Sequence, residues 1–257
     1  MELINGIQNK FHHLAQILAA FSNSFLEKRE DDSQSALLWN IEKSALQSQI
    51  VNNVFYLELN YTDVYLRLYK GSDFKEIDLL GLTQSDIDAW IRETISDYGL
   101  EAGKFHYNLG FKLNTKFDTF IALDSTDEKA ILQLVEQRNI AQRSLEKIKI
   151  SSKNTSSIYV WPHHFDTGML VYPEETEKKG FGLGYAIADG SISDKPYYYA
   201  YIWGDKNINY DQLPNLTTGN WVLGNWKGAI IPVNHNYDLN IVNKLYEEFT
   251  DIMRPRL

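Results

Sequence analysis

The chain has 257 residues, of which 44% are hydrophobic and 23% charged, and its 25 basic and 34 acidic side chains leave a formal net charge of −9. A chain of this length buries roughly 70–75% of its unfolded surface, enough for one large core or two modest ones. The acidic balance disfavours nonspecific binding to nucleic acid or anionic membrane, and the lack of cysteine excludes disulfides, thiolate metal sites and a cysteine nucleophile.

Nowhere do about 18 apolar residues run uninterrupted, so no membrane span is expected. The N-terminal stretch has no signal-peptide pattern, because Lys10 follows Leu3, Ile4 and Ile7 and polar His12, His13 and Gln16 come next. A cytoplasmic location is the expectation.

The first element reads as a helix. Leu3, Ile7, Phe11, Leu14, Leu18, Phe21 and Phe25 recur at intervals of three and four and form one apolar stripe. His12 and His13 flank the stripe and read as surface or boundary side chains. The charged run 27–34 reads as an exposed connection, and a second helix is expected over Ala36 to about Asn52. Phe55, Leu57 and Leu59, then Val64, Leu66 and Leu68, alternate with period two, which predicts a hairpin bending at Asn60 to Asp63.

Residues 82–100 predict a helix more sharply. Thr83 and Asp86 have capping-box spacing, Ile87, Trp90, Ile91, Ile95 and Tyr98 share a face, and Gly99 suits a left-handed stop. A strand-rich passage is expected over 105–123, with Phe117 and Ile121 in the core. Ser125 and Glu128 then suggest a capped helix running to about Ile148, and residues 151–157 suit a linker.

The last 107 residues hold half of the aromatic side chains and 9 of the 15 glycines. Short strands are expected around Gly180–Gly190, Pro196–Trp203 and Trp226–His235, with a turn at Asp189-Gly190 and a final helix carrying Leu239, Val242, Leu245, Tyr246, Phe249 and Met253. Without β-α-β repetition, this order predicts an α+β fold with mainly antiparallel sheet and packed helices, arranged as two similar α+β halves. The division expected is a helical and hairpin region over 1–150 and an aromatic-rich region over 151–257, or one continuous domain.

The densest chemical signal is Tyr159-Val160-Trp161-Pro162-His163-His164-Phe165-Asp166. If Val160–Asp166 is extended, Trp161, His163 and Phe165 share one face and His164 and Asp166 the other, with Pro162 favouring an edge strand or bulge. His164 and Asp166 then lie about 6–7 Å apart at Cα. Three readings stay open: a structural tie, a small-ligand pocket, or a hydrolase in which Asp166 orients His164 to activate water.

A metal site needs a remote ligand, for which His235 is the natural candidate, but the spacing matches no compact zinc motif. No metal or other cofactor is expected. There is no G-x-S-x-G elbow, so a serine nucleophile finds no support. Gly180, Gly182 and Gly184 lack the context of a phosphate loop and read as room for tight backbone or aromatic packing. In the aromatic run that follows, Tyr197, Tyr199, Tyr201 and Trp203 share a face, with Tyr198 opposite. That face suits core packing or a ligand cavity, which Trp221, Trp226 and Lys227 would complete.

The helix Ile131–Ile148 followed by Ser156–Val171 resembles the uncharacterised family called domain of unknown function 5996. The matching features are Trp161, Phe165-Asp166, Gly182, Pro196-Tyr197-Tyr198-Tyr199 and Ile230-Ile231-Pro232, in that order, with the best agreement from about Ala130 to His235. The resemblance implies membership but no activity. Some related sequences carry small residues in place of the two histidines, which makes Asp166 and its aromatic neighbours the safer site.

The sequence therefore points to a small-molecule pocket in the C-terminal half. Asp166 and His164 are its polar groups, and Trp161, His163, Tyr199, Tyr201, Trp203 and His235 are ligand-contact candidates. The alternatives are a water-activating hydrolase and a structural or protein-interaction module.

Overall fold

Helix α1 (Glu2–Phe25) forms along the predicted apolar stripe, with Ile7, Phe11, Leu14, Leu18 and Phe21 buried. The computed structural model describes residues 2–113, 125–173, 179–204, 208–234 and 238–257. These divide into two compact units, one of residues 1–135 with 160–165 and one of residues 136–159 with 166–257. Each unit combines an antiparallel sheet with helices, so the fold is α+β.

In the first unit, β1 (Leu38–Asn40), β2 (Ala45–Gln47), β3 (Phe55–Asn60), β4 (Tyr65–Lys70) and β5 (Asp73–Asp78) lie in chain order. Period-two alternation sends Leu46, Leu57, Leu59, Leu66 and Leu68 into the core. There α1 packs on β3, and Phe11 stacks on Tyr61 at 3.8 Å between ring centroids.

The helix expected over Ala36–Asn52 is instead β1, β2 and their turns. Ser44, Asn52 and Asn53 have φ of 50°, 49° and 60°, left-handed positions that break any helix. Pairing of Leu46 with Leu59 buries both side chains in register, and this tertiary gain overrides local propensity.

Helix α2 (Gln84–Asp97) starts at the expected capping box, in which Thr83 and Asp86 exchange side-chain-to-backbone hydrogen bonds. It ends on Gly99 at φ +81°, with the Gly99 and Leu100 amides donating to the Ser96 and Ile95 carbonyls. No strand forms over 105–113, where the chain leaves a short 3-10 turn at Ala102–Lys104. The expected core residues Phe117 and Ile121 lie outside the described residues.

Helix α3 (Ser125–Ser151) runs as predicted, its first turns belonging to the first unit and the remainder to the second. The second unit's sheet has the order β10-β11-β9-β8-β7, formed by β7 (Asp166–Val171), β8 (Gly180–Ala186), β9 (Tyr197–Trp203), β10 (Asn220–Leu223) and β11 (Lys227–Pro232), while β6 (Tyr159–Trp161) has only Tyr159 in this unit. Its inner face pairs Phe181 with Ile202, Leu183 with Ala200 and Tyr185 with Tyr198. These side chains share one core with Ile140, Ala141 and Leu145 of α3 and with Val242, Leu245, Tyr246 and Phe249 of α4 (Leu239–Met253).

The tyrosine hydroxyls in that core find partners. Tyr185 donates to Gln137 Oε1 at 2.7 Å, Tyr198 to the Gln137 carbonyl at 3.2 Å and Tyr246 to the Gly184 carbonyl at 2.8 Å. No helix among the described residues is long and apolar enough to cross a membrane.

Candidate functional site

The Trp-Pro-His-His-Phe-Asp segment is not one extended strand. β6 ends at Trp161, residues 162–165 turn, and β7 begins at Asp166. The Phe165 amide closes the turn on the Trp161 carbonyl at 2.7 Å, and Phe165 takes φ +56°. The alternation of faces expected across 160–166 therefore does not hold. Proline, lacking an N–H, fits a turn as well as a strand edge.

Within the first unit this turn is held from α1. His12 Nε2 donates to the Pro162 carbonyl at 2.8 Å, and Gln16 Nε2 donates to the same oxygen at 2.8 Å. A carbonyl only accepts, so the His12 imidazole carries its proton on Nε2. The ring also stacks on Phe165 at 4.7 Å with planes 5° apart, while Val160 bridges to Leu37. The reading of His12 as a surface or boundary side chain is thus overturned: it is buried. A long-range acceptor on Pro162, 150 positions away, leaves no trace in the local pattern of α1. His13 is half-buried, and burial holds its imidazole below the ordinary range.

His163 and His164 are exposed on the turn, their rings 4.5 Å apart, with Trp161 and Phe111 edge-on to His163. Trp161, His163 and His164 belong to the first unit. Asp166, Tyr199, Tyr201 and Trp203 belong to the second, and His235 lies outside the described residues. Among the described residues no group of three or more histidine, aspartate or glutamate side chains is placed to hold a metal ion.

The second unit brings one set of these residues together on its outer sheet face. By register, Gly184 lies opposite Tyr199 and Gly182 opposite Tyr201, while Gly168 lies opposite Gly184 on the far side. The tyrosine rings lie flat across these glycines. A Cβ added at Gly182 would stand 2.0 Å from Tyr201 Cε1, and one at Gly184 would stand 2.5 Å from the Tyr199 hydroxyl. At Gly168 it would meet the same hydroxyl at 2.7 Å.

The glycines therefore let a β9 side chain reach over β8 to β7, about 10 Å at the usual strand spacing. There the Tyr199 hydroxyl donates to Asp166 Oδ2 at 2.6 Å. A charge-assisted bond of this length is among the stronger side-chain contacts.

The neighbouring rings extend the surface. Tyr197, Tyr199 and Tyr201 follow one another at about 6 Å (6.3 and 6.0 Å), and Trp226 continues the row 6.1 Å from Tyr201. Tyr197 donates to Asp189 Oδ2 at 2.9 Å. Asp189 also caps the turn at Gly190 by accepting the Ser191 and Ile192 amides. Trp203 meets Tyr172 edge-on at 6.1 Å. Trp221 does not join them. Its ring packs on Phe249, on the inner face, because β10 pairs it with inward-facing Ala229. Lys227 lies over the Tyr210 ring, 5.1 Å from its centroid.

Burial, and then the Asp166 charge, push the Tyr201 hydroxyl up to about 12, and the same causes in the same order hold Tyr199 well above its ordinary range. Tyr197 is raised by burial, then by its bond to Asp189. All three hydroxyls are thus protonated donors at neutral pH, and neither base nor nucleophile is offered by them. The arrangement is an acidic, ring-lined surface in which Tyr201, Trp226 and Asp166 stay partly exposed while Tyr197 and Tyr199 are buried.

Sequence reasoning read Asp189 only as part of a turn and assigned Gly168 no role. An isolated glycine inside a strand pattern is a signal of close approach, and it marked Gly168 without saying what approaches. Comparison with protein-family models, with curated proteins and with solved structures gives no match to the chain.

Proposed function

We propose that the outer face of the second sheet binds a small molecule that presents a flat ring face to Tyr201 and Trp226 and a hydrogen-bond donor to Asp166. The observation that carries this reading is the glycine lane at 168, 182 and 184. It lets Tyr199 reach Asp166, a partly exposed carboxylate, at 2.6 Å and seats the Tyr201 ring over Gly182. Exposure rises from Tyr199 to Tyr201 along β9 and from Ile230 of β11 to Trp226 just before it, toward the same end of the two antiparallel strands. Pockets that hold small ligands combine this apolar, aromatic lining with a few placed polar groups.

Membership of the family named above belongs to the same proposal. Asp166, Gly182, Tyr199 and Ile230, which carry part of that resemblance, lie on this one sheet face.

The test is a ligand-observed NMR screen of small aromatic and saccharide-like compounds against the full chain, repeated with Tyr201→Ala and Asp166→Asn. The reading expects compounds whose saturation-transfer signal disappears in Tyr201→Ala and weakens in Asp166→Asn while both variants keep the parent far-UV spectrum. A screen in which every bound compound is indifferent to both substitutions refutes it.

A further inference from the structure

The outer face of the first sheet carries a second cluster that the Asp166 face does not use. By register Glu58 sits on that outer face, between Gln47 of β2 and Arg67 of β4. Its side chain is nevertheless fully covered. Its own neighbours cover it: Lys43 Nζ at 2.8 Å and Gln47 Nε2 at 2.7 Å meet Oε2, and the Tyr69 hydroxyl meets Oε1 at 3.1 Å. Tyr56 stacks on Tyr69 at 4.5 Å with planes 4° apart. The Arg67 guanidinium lies 3.9 Å from the Tyr65 ring centroid and 4.4 Å from that of Phe74. Phe74, at the rim, is 44% exposed.

Charge decides what such a face can take. Each cation is matched by a carboxylate, Lys43 by Glu58 and Arg67 by Glu76, and exposed Asp78 lies on the same face beside Tyr65, so the cluster holds no surplus positive charge to draw a polyphosphate. What it offers is flat ring faces beside rigidly held charged hydrogen-bonding groups. This combination complements the apolar CH face and the adjacent hydroxyls of a sugar ring.

We infer that the outer face of β2–β5 is a binding platform for a neutral saccharide. Phe74 and Tyr56 are its stacking rings, and Lys43, Gln47 and Arg67 are its hydroxyl partners. Glu58 acts as a positioning residue that fixes Lys43 and Gln47. The inference is independent of the Asp166 site, which lies on the other sheet.

The test titrates the isotope-labelled full chain, separately, with maltotriose, cellotriose, xylotriose and chitotriose, following backbone amide shifts. The expected result is a saturable shift of β2–β5 amides with at least one trisaccharide, weakened about tenfold or more by Phe74→Ala. Phe74 is at the rim, so its removal leaves the core intact. The inference is overturned if no trisaccharide shifts β2–β5. Binding indifferent to Phe74→Ala overturns it too, as does saturation of this face by adenosine or oligothymidylate instead of the sugars.

Discussion

Adding a single methyl group at Gly184 tests the glycine lane directly. The new Cβ of Gly184→Ala would stand 2.2 Å from the Thr167 carbonyl oxygen and 2.6 Å from Tyr199 Cζ. The first of these is backbone of a paired strand and cannot swing aside. Overpacking of this kind costs about 1–3 kcal/mol. Displacing the Tyr199 ring also breaks its bond to the Asp166 carboxylate, worth roughly 1.5–3 kcal/mol. The expected loss is therefore about 3–5 kcal/mol, allowing for partial relaxation.

Gly182→Ala is the matched control. Its Cβ would meet the Tyr201 ring at 2.0 to 2.7 Å and no backbone atom among its nearest neighbours. Tyr201 is only half-buried and can rotate outward, so the expected loss is nearer 1–2 kcal/mol. Urea unfolding followed by tyrosine–tryptophan fluorescence and by far-UV circular dichroism gives both values. A Gly184→Ala protein within about 1 kcal/mol of the parent, or more stable than Gly182→Ala, would refute the claim that these rings are seated on glycine.

The remaining expectations concern pH, the docked turn and the buried carboxylate. Tyr201 titrates near 12 when folded, with Tyr197, Tyr199 and Tyr246 also raised, so their contribution to stability is fully present below the unfolded value of about 10. It is lost as pH rises through the folded values, and urea midpoints should fall steadily above pH 10; a flat profile there contradicts the shifts. His12→Ala should destabilise by about 2–4 kcal/mol through the lost stack and carbonyl bond, whereas half-buried His13→Ala should cost less than about 1 kcal/mol. Equal effects in thermal unfolding would contradict the assignment of His12 to the Pro162 turn. Glu58→Ala leaves the Gln47 amide and Tyr69 hydroxyl without their acceptor, and should lower denaturant stability by about 2–4 kcal/mol.

Much of the local architecture was legible in the sequence, because its determinants are local. The stripe of α1, the Thr83–Asp86 box of α2, the β3–β4 hairpin and the two faces of β9 follow from periodicities of 3.6 and 2 and from cap chemistry. The site was legible only as a set of parts. Alternation put Tyr197, Tyr199, Tyr201 and Trp203 on one side, and the glycines read correctly as room for aromatic packing. Neither pattern states that Tyr199 ends on Asp166.

What the tertiary structure decided was every relation between segments distant along the chain. Residues 36–52 became strands because Leu46 pairs with Leu59, and a polar residue of α1 became buried because Pro162 offers it a carbonyl. The glycine lane exists only once β7, β8 and β9 are in register, since a shift of one residue would turn Gly184 inward and Tyr199 away from Asp166. The physical reason is common to all three. Side-chain periodicity is set by each strand's own backbone, whereas register and docking are set by which partner buries the most surface and satisfies the most hydrogen bonds.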